Sequence, residues 1–154
     1  MSALIRPILI VDDDPDEATL TTRALAKAGI KNPIVAVPSG EHAIAYLKER
    51  LTAPETSLPL FILLDLNMPG ADGFHVLNWI RAQPPLRKLL TVVLSSSTEE
   101  RDVAKAYALG AKTYLGKYPV ASDLSSIFQL ANAMLTIEEV ERLVLPGIKR
   151  PVTP

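Results

Sequence analysis

The chain contains no cysteine, which excludes disulfides and thiolate chemistry while leaving the compartment open. An excess of charge is also missing. Lys and Arg number 16 against 17 Asp and Glu, a formal net charge of −1. Such a balance exerts no general pull toward nucleic acid or an anionic membrane surface. No stretch approaches the roughly 20 apolar residues of a membrane span, and Met1–Arg6 lacks the apolar core of a signal peptide. Internal repeats and low-complexity tracts are absent. These absences give the expectation of a cytoplasmic protein that binds neither nucleic acid nor membrane. What is present is 154 residues with 48% hydrophobic content, enough for one globular domain with a substantial core.

Strand and helix patterns alternate five times. A strand over 8–12 precedes a helix over 15–29, with Leu20, Ala24, Leu25 and Ala28 on one face and Gly29 at its end. Ile34–Val35–Ala36–Val37 leads through Pro38–Ser39–Gly40 to a helix that turns Ala43, Ile44 and Leu47 inward. The polar loop from Arg50 to Ser57 precedes the apolar run Leu58–Leu64, and a third helix over 73–82 offers Val76, Leu77 and Ile80. Pro84–Pro85 stops it, Leu90–Leu94 is the fourth strand, and a helix over 98–109 closes on Gly110. Thr113–Gly116 and a helix from Ser122 or Asp123 complete the fifth unit. Strict alternation implies a parallel sheet with helices on both faces.

The informative residues lie where the strands end. Uninterrupted apolar runs are strands buried on both faces, yet two of them stop at acids. Ile8–Leu9–Ile10–Val11 runs into Asp12, Asp13 and Asp14, and Leu58–Leu64 runs into Asp65. Like charges crowded beside a low-dielectric core repel one another, and an oxygen-seeking cation such as Mg²⁺ relieves that repulsion. Asp14 has a simpler role, since Asp followed by Pro15, Asp16 and Glu17 is a helix-start pattern. That leaves Asp12 and Asp13 as the metal pair. Strand four ends in Ser95–Ser96–Ser97 and strand five in Lys117. All parallel strand ends share one edge, where open α/β sheets bind their ligands. Acids for a cation, a carboxylate nucleophile, a hydroxyl and an ammonium are what phosphoryl transfer onto a carboxylate needs.

Four segments carry a family resemblance: Ile8–Asp13, Asp65–Gly73, Val93–Ser96 and Tyr114–Lys117. In order and spacing they resemble the receiver domain of two-component response regulators, over residues 6–135. The resemblance implies a flavodoxin-like α/β fold, a five-stranded parallel sheet of order 2-1-3-4-5 with helices on both faces. It implies Asp65 as the phosphoacceptor, Asp13 as a direct Mg²⁺ ligand, Asp12 acting through water, and the Asn67 carbonyl as a further ligand. Ser95 would be the hydroxyl that moves onto the phosphoryl group, Lys117 its cation, and Tyr114 the aromatic switch that turns inward as Ser95 moves. The implied donor is a sensor histidine kinase. The wording Leu63–Pro69, the long loop before it and the apolar tail resemble stand-alone regulators paired with bacterial phytochromes.

One position departs from the pattern. The family usually has Pro directly after the lysine, with a cis bond, whereas here Tyr118 intervenes before Pro119. A cis non-proline bond costs about 2.5–4 kcal/mol, so a trans Lys117–Tyr118 bond is the expectation. Two other classes compete. A haloacid-dehalogenase-type phosphatase also uses a strand-end Asp, but it needs a second Asp where this chain has Asn67, and Asn cannot shuttle a proton. A flavodoxin-like binding module wants a Ser/Thr/Gly-rich loop after strand one, where this chain is acidic. The receiver reading therefore describes a switch rather than an enzyme with turnover.

The tail beyond the receiver, 136–154, is too short for an output domain. The fifth helix has inward positions Leu124, Ile127, Phe128, Ala131 and Leu135. Thr136–Ile137–Glu138–Glu139 then forms a capping-box pattern, followed by Val140, Leu143, Val144 and Leu145. Apolar side chains the core does not need imply an interaction surface. A homodimer is expected, through this extension or through the face of the fourth helix, fifth strand and fifth helix.

Overall fold

The computed structural model describes residues 6–53, 58–68, 70, 72–96 and 99–133. The expected extension 136–154 and Leu135 lie outside the described residues. Five strands, β1 (Ile8–Val11), β2 (Ile34–Val37), β3 (Phe61–Asp65), β4 (Leu90–Ser95) and β5 (Thr113–Gly116), alternate with five helices. These are α1 (Pro15–Lys27), α2 (Gly40–Leu51), α3 (Gly73–Arg81), α4 (Glu100–Ala108) and α5 (Ala121–Asn132), with a 3₁₀ turn at Pro84–Leu86. The sheet order is β2-β1-β3-β4-β5, every pairing parallel. Among the described residues no helix is long and apolar enough to cross a membrane.

Period-two alternation divides the strand side chains between two cores. Leu9, Val11, Ile62, Leu64, Val93 and Tyr114 pack with Ala43 and Leu47 of α2, Val76, Leu77 and Ile80 of α3, and Val103 and Ala106 of α4. Ile8, Ile10, Phe61, Leu63, Val92, Leu94 and Leu115 pack on the other face with Leu25 of α1 and Leu124 and Ile127 of α5. β1, β3 and β4 are buried along their whole lengths. That explains why these three read as continuous apolar runs rather than as alternating patterns.

One helix face differs from expectation. Leu20 is 47% exposed, while Thr21 is buried. The stripe of α1 that meets the sheet passes through Thr21, Leu25 and Ala28, at the i, i+4, i+7 spacing of a helix face. Counting apolar letters places the face one residue too early, because the buried threonine reads as polar. Its helical position, rather than its polarity, decides its burial.

Gly73 sets the distance between the start of α3 and the end of β3. A Cβ there would lie 2.7 Å from the Asp65 carbonyl oxygen and 2.7 Å from the Leu66 Cα, both backbone atoms. Its own N–H donates to the Leu66 carbonyl at 3.2 Å. Gly116, by contrast, has nothing within 4 Å of the corresponding position. Gly73→Ala is expected to cost about 1–3 kcal/mol by overpacking, while Gly116→Ala should change stability by less than about 0.5 kcal/mol. Urea unfolding of the two variants checks this, and equal midpoints would contradict the close approach.

Candidate functional site

The carboxyl edge of the sheet gathers the strand-end side chains. β1 and β3 pair with Val11 opposite Leu64, so Asp12 and Asp65 follow side by side. β4 pairs with β5 so that Ser95 faces Gly116, and the Lys117 N–H donates to the Ser95 carbonyl at 3.1 Å. Asp12, Asp65 and Ser95 are buried, at 7%, 2% and 1% exposure. Lys117 Nζ lies 3.2 Å from Asp65 Oδ1 and 2.7 Å from Glu17 Oε1. Asp65 Oδ1 also accepts the Asn67 N–H at 3.2 Å, and Ser95 Oγ accepts from Asn67 Nδ2 at 3.4 Å. Carboxylate oxygens of Asp12, Glu17 and Asp65 lie within 4.8 Å of one another.

Burial dominates the electrostatics. It pushes the Asp12 carboxyl up to about 6, against the help of the Asp14 N–H, with the charge of Asp65 adding to the rise. Asp65 is raised as well, chiefly by burial, and the Lys117 charge and the Asn67 N–H offset only part of that. For Lys117, burial works against the ammonium, but bonds to Glu17 and Asp65 outweigh it and hold the side chain protonated. Three converging carboxylates against one ammonium leave a surplus of negative charge. An all-oxygen donor set of this kind fits a hard divalent cation such as Mg²⁺.

The expected residues meet, with four differences. Asp14 caps α1 as expected, its Oδ1 accepting the N–H groups of Asp16 and Glu17 at 2.9 and 3.4 Å. Asp13, however, is exposed, and the three converging carboxylates are those of Asp12, Glu17 and Asp65. It influences Asp65 through its charge. Tyr114, expected to turn inward as Ser95 moves, is fully buried within the core of the α2–α4 face. The Lys117–Tyr118 bond is cis, where trans was expected. Both flanking side chains are tied to Glu17, Lys117 through Nζ at 2.7 Å and Tyr118 through its hydroxyl at 3.1 Å. Glu17 itself was missed. Its available signal was position: the third residue of a helix that starts directly above the end of β1.

Sheet order, buried strand-end acids and a shared lysine define a doubly wound α/β protein with its chemistry at the topological switch point between β1 and β3. The model of the response regulator receiver domain matches residues 8–129, and the chain belongs to that family. It is a two-component signalling switch of the phosphorelay type. The response regulator Rcp1 of Synechocystis sp. is 34% identical over 122 residues, 79% of this chain and 83% of that protein. Two solved structures are similar over most of the chain. The bacteriophytochrome response regulator AtBRR gives a TM-score of 0.70 at 31% identity, covering 85% of this chain and 94% of that one. The phosphorylated cyanobacterial phytochrome response regulator RcpA gives 0.66 at 34%, covering 92% and 99%. Rcp1 has also been solved in a Mn²⁺-bound form.

The raised Asp12 carboxyl makes stability depend on pH. Its folded value, about 6, lies above the ordinary 3.8, so between those values the folded chain holds more proton than the unfolded one. Stability therefore falls as pH rises through this window, by at most about 3 kcal/mol. Asp12→Asn keeps an acceptor for the Asp14 N–H and removes the titration. In metal-free buffer the variant should be more stable than the parent near neutrality and nearly equal to it near pH ~4, where Asp12 is protonated. Unfolding curves that show no difference at either pH would contradict the assignment.

Proposed function

We propose that this chain accepts a phosphoryl group on Asp65 from a sensor histidine kinase. The observation that carries the proposal is a buried carboxylate at the switch point with an ammonium 3.2 Å from one of its oxygens. Asp65 is the nucleophile, and Lys117 and Ser95 are placed to hold the oxygens of the transferred group. Asp13, Asp65 and the Asn67 carbonyl are proposed to hold Mg²⁺, with Asp12 acting through water. When bound, the ion supplies charge neutralisation to the incoming phosphoryl oxygens. Ser95 moves toward the phosphoryl group, and the α4, β5 and α5 face responds, since β5, which carries Tyr114 and leads into Lys117, pairs with the strand that carries Ser95. Transfer biases an existing two-state equilibrium, by an amount limited to the difference in the group's interactions with the two states. Asn67 in place of a proton-shuttling acid argues against a phosphatase, and the acidic loop after β1 argues against a flavin site.

The narrower pairing with a bacterial phytochrome kinase is supported by the similarity to the phytochrome response regulators AtBRR and RcpA. A cytoplasmic setting and an output without DNA or membrane contact belong to the same reading. Residues 6–135 form the receiver, and 136–154 a dimerisation extension, with the α4–β5–α5 face as the alternative interface. An isologous contact through self-complementary apolar patches is the common solution for such a surface.

Mg²⁺-dependent labelling of the full chain by acetyl phosphate tests the central step. Asp65→Asn keeps the shape and removes the nucleophile, so labelling should vanish, and full labelling would sink the proposal. Ser95→Ala should still be labelled while showing a smaller change in amide shifts on α4 and β5. A complete response would remove Ser95 from the coupling. For the extension, sedimentation should show a dimeric parent and a monomeric chain when truncated after Leu135. A truncated chain that still dimerises would leave the α4–β5–α5 face as the interface.

A further inference from the structure

Glu17 joins the first turn of α1 to the end of β5. Its Oε1 accepts Lys117 Nζ at 2.7 Å, closer than the 3.2 Å from the same nitrogen to Asp65 Oδ1. Its Oε2 accepts the Tyr118 hydroxyl at 3.1 Å. The Glu17 and Lys117 side chains are 20% and 13% exposed, so the pair is largely shielded from water and from salt screening. Charge-assisted bonds of this length are the strong ones. Tyr118, which stands where the family pattern has proline and is 59% exposed, thus supplies a second donor to the Glu17 carboxylate. The lysine expected to serve the phosphoryl group is therefore held more closely by a residue outside the family pattern than by the phosphoacceptor.

We infer that Glu17, bonded to Tyr118, is a positioning residue that competes with the phosphoryl group for Lys117 and so slows phosphorylation of Asp65. The inference rests on the reading of Asp65 as phosphoacceptor. In the step concerned, an Asp65 carboxylate oxygen forms a bond to phosphorus while the bond from phosphorus to the acetate oxygen of the donor breaks. The electron pair leaves on acetate, and Lys117 keeps its protons throughout. Drawing Lys117 toward the transferred group means loosening its bond to Glu17, and that cost falls in the transition state.

The test is the rate of Mg²⁺-dependent labelling of the full chain by acetyl phosphate. Glu17→Gln, which keeps shape and removes charge, should label roughly three- to tenfold faster, a tenfold change being about 1.4 kcal/mol. Tyr118→Phe should shift the rate in the same direction by less. In a Lys117→Ala background the Glu17→Gln effect should disappear, since there is nothing left to compete for. An unchanged or slower Glu17→Gln rate would overturn the inference. So would equal acceleration in the Lys117→Ala background, which would mean that Glu17 only repels the anionic donor. A slower rate with a raised Mg²⁺ requirement would make Glu17 a metal ligand instead. If Glu17→Gln fails to fold, an unchanged or slower Tyr118→Phe rate likewise overturns the inference. Labelling that persists in Asp65→Asn would defeat the underlying reading as well. Labelling abolished there but unaffected by Glu17→Gln would defeat the competition alone.

Discussion

The contact between Lys117 Nζ and Asp65 Oδ1 is the interaction on which the site depends. A carboxylate at 2% exposure has lost most of its hydration, and an unpaired charge in that position is costly. A cation must reach it from elsewhere in the chain. Asp65 lies on β3 and Lys117 follows β5, two strands away across β4. Only the parallel arrangement, with β4 between them in register, brings these residues to one edge. The fold is thus a condition for the chemistry, because it determines which charges meet.

The same edge carries more negative charge than one lysine balances. Asp12 and Asp65 are both raised by burial, and Glu17 takes the shorter bond to the shared ammonium. Stability comes from elsewhere, from two apolar cores on opposite faces of the sheet. This separation lets the edge remain electrostatically unfavourable without unfolding the domain. The excess of acid at the topological switch point between β1 and β3 is of the kind that a divalent cation relieves. The site's gain on binding a cation is the removal of repulsion already present.

Much of this is legible in the amino-acid sequence alone. β1, β3 and β4 are buried on both faces, so their apolar runs and polar ends stand out directly, and Asp12, Asp65, Ser95 and Lys117 are recognisable at strand ends for that reason. Weaker signals fail where neighbours decide. Thr21 replaces Leu20 on the buried face of α1, because helical position outweighs a single residue's polarity. Glu17 reads as an ordinary early-helix acid until the approach of Lys117 and Tyr118 from a hundred residues away gives it another role. The cis bond at Lys117–Tyr118 and the buried state of Tyr114 likewise reflect tertiary surroundings that no local pattern encodes.

Mapping the modified residue tests the account most directly. The full chain, incubated with acetyl phosphate and Mg²⁺ and then trapped and digested, should carry one phosphoryl group on the peptide containing Asp65, and none when Mg²⁺ is chelated. Modification found on Asp12, Asp13 or another residue, or labelling indifferent to the metal, would contradict the assignment of Asp65 as the group at which this switch is set.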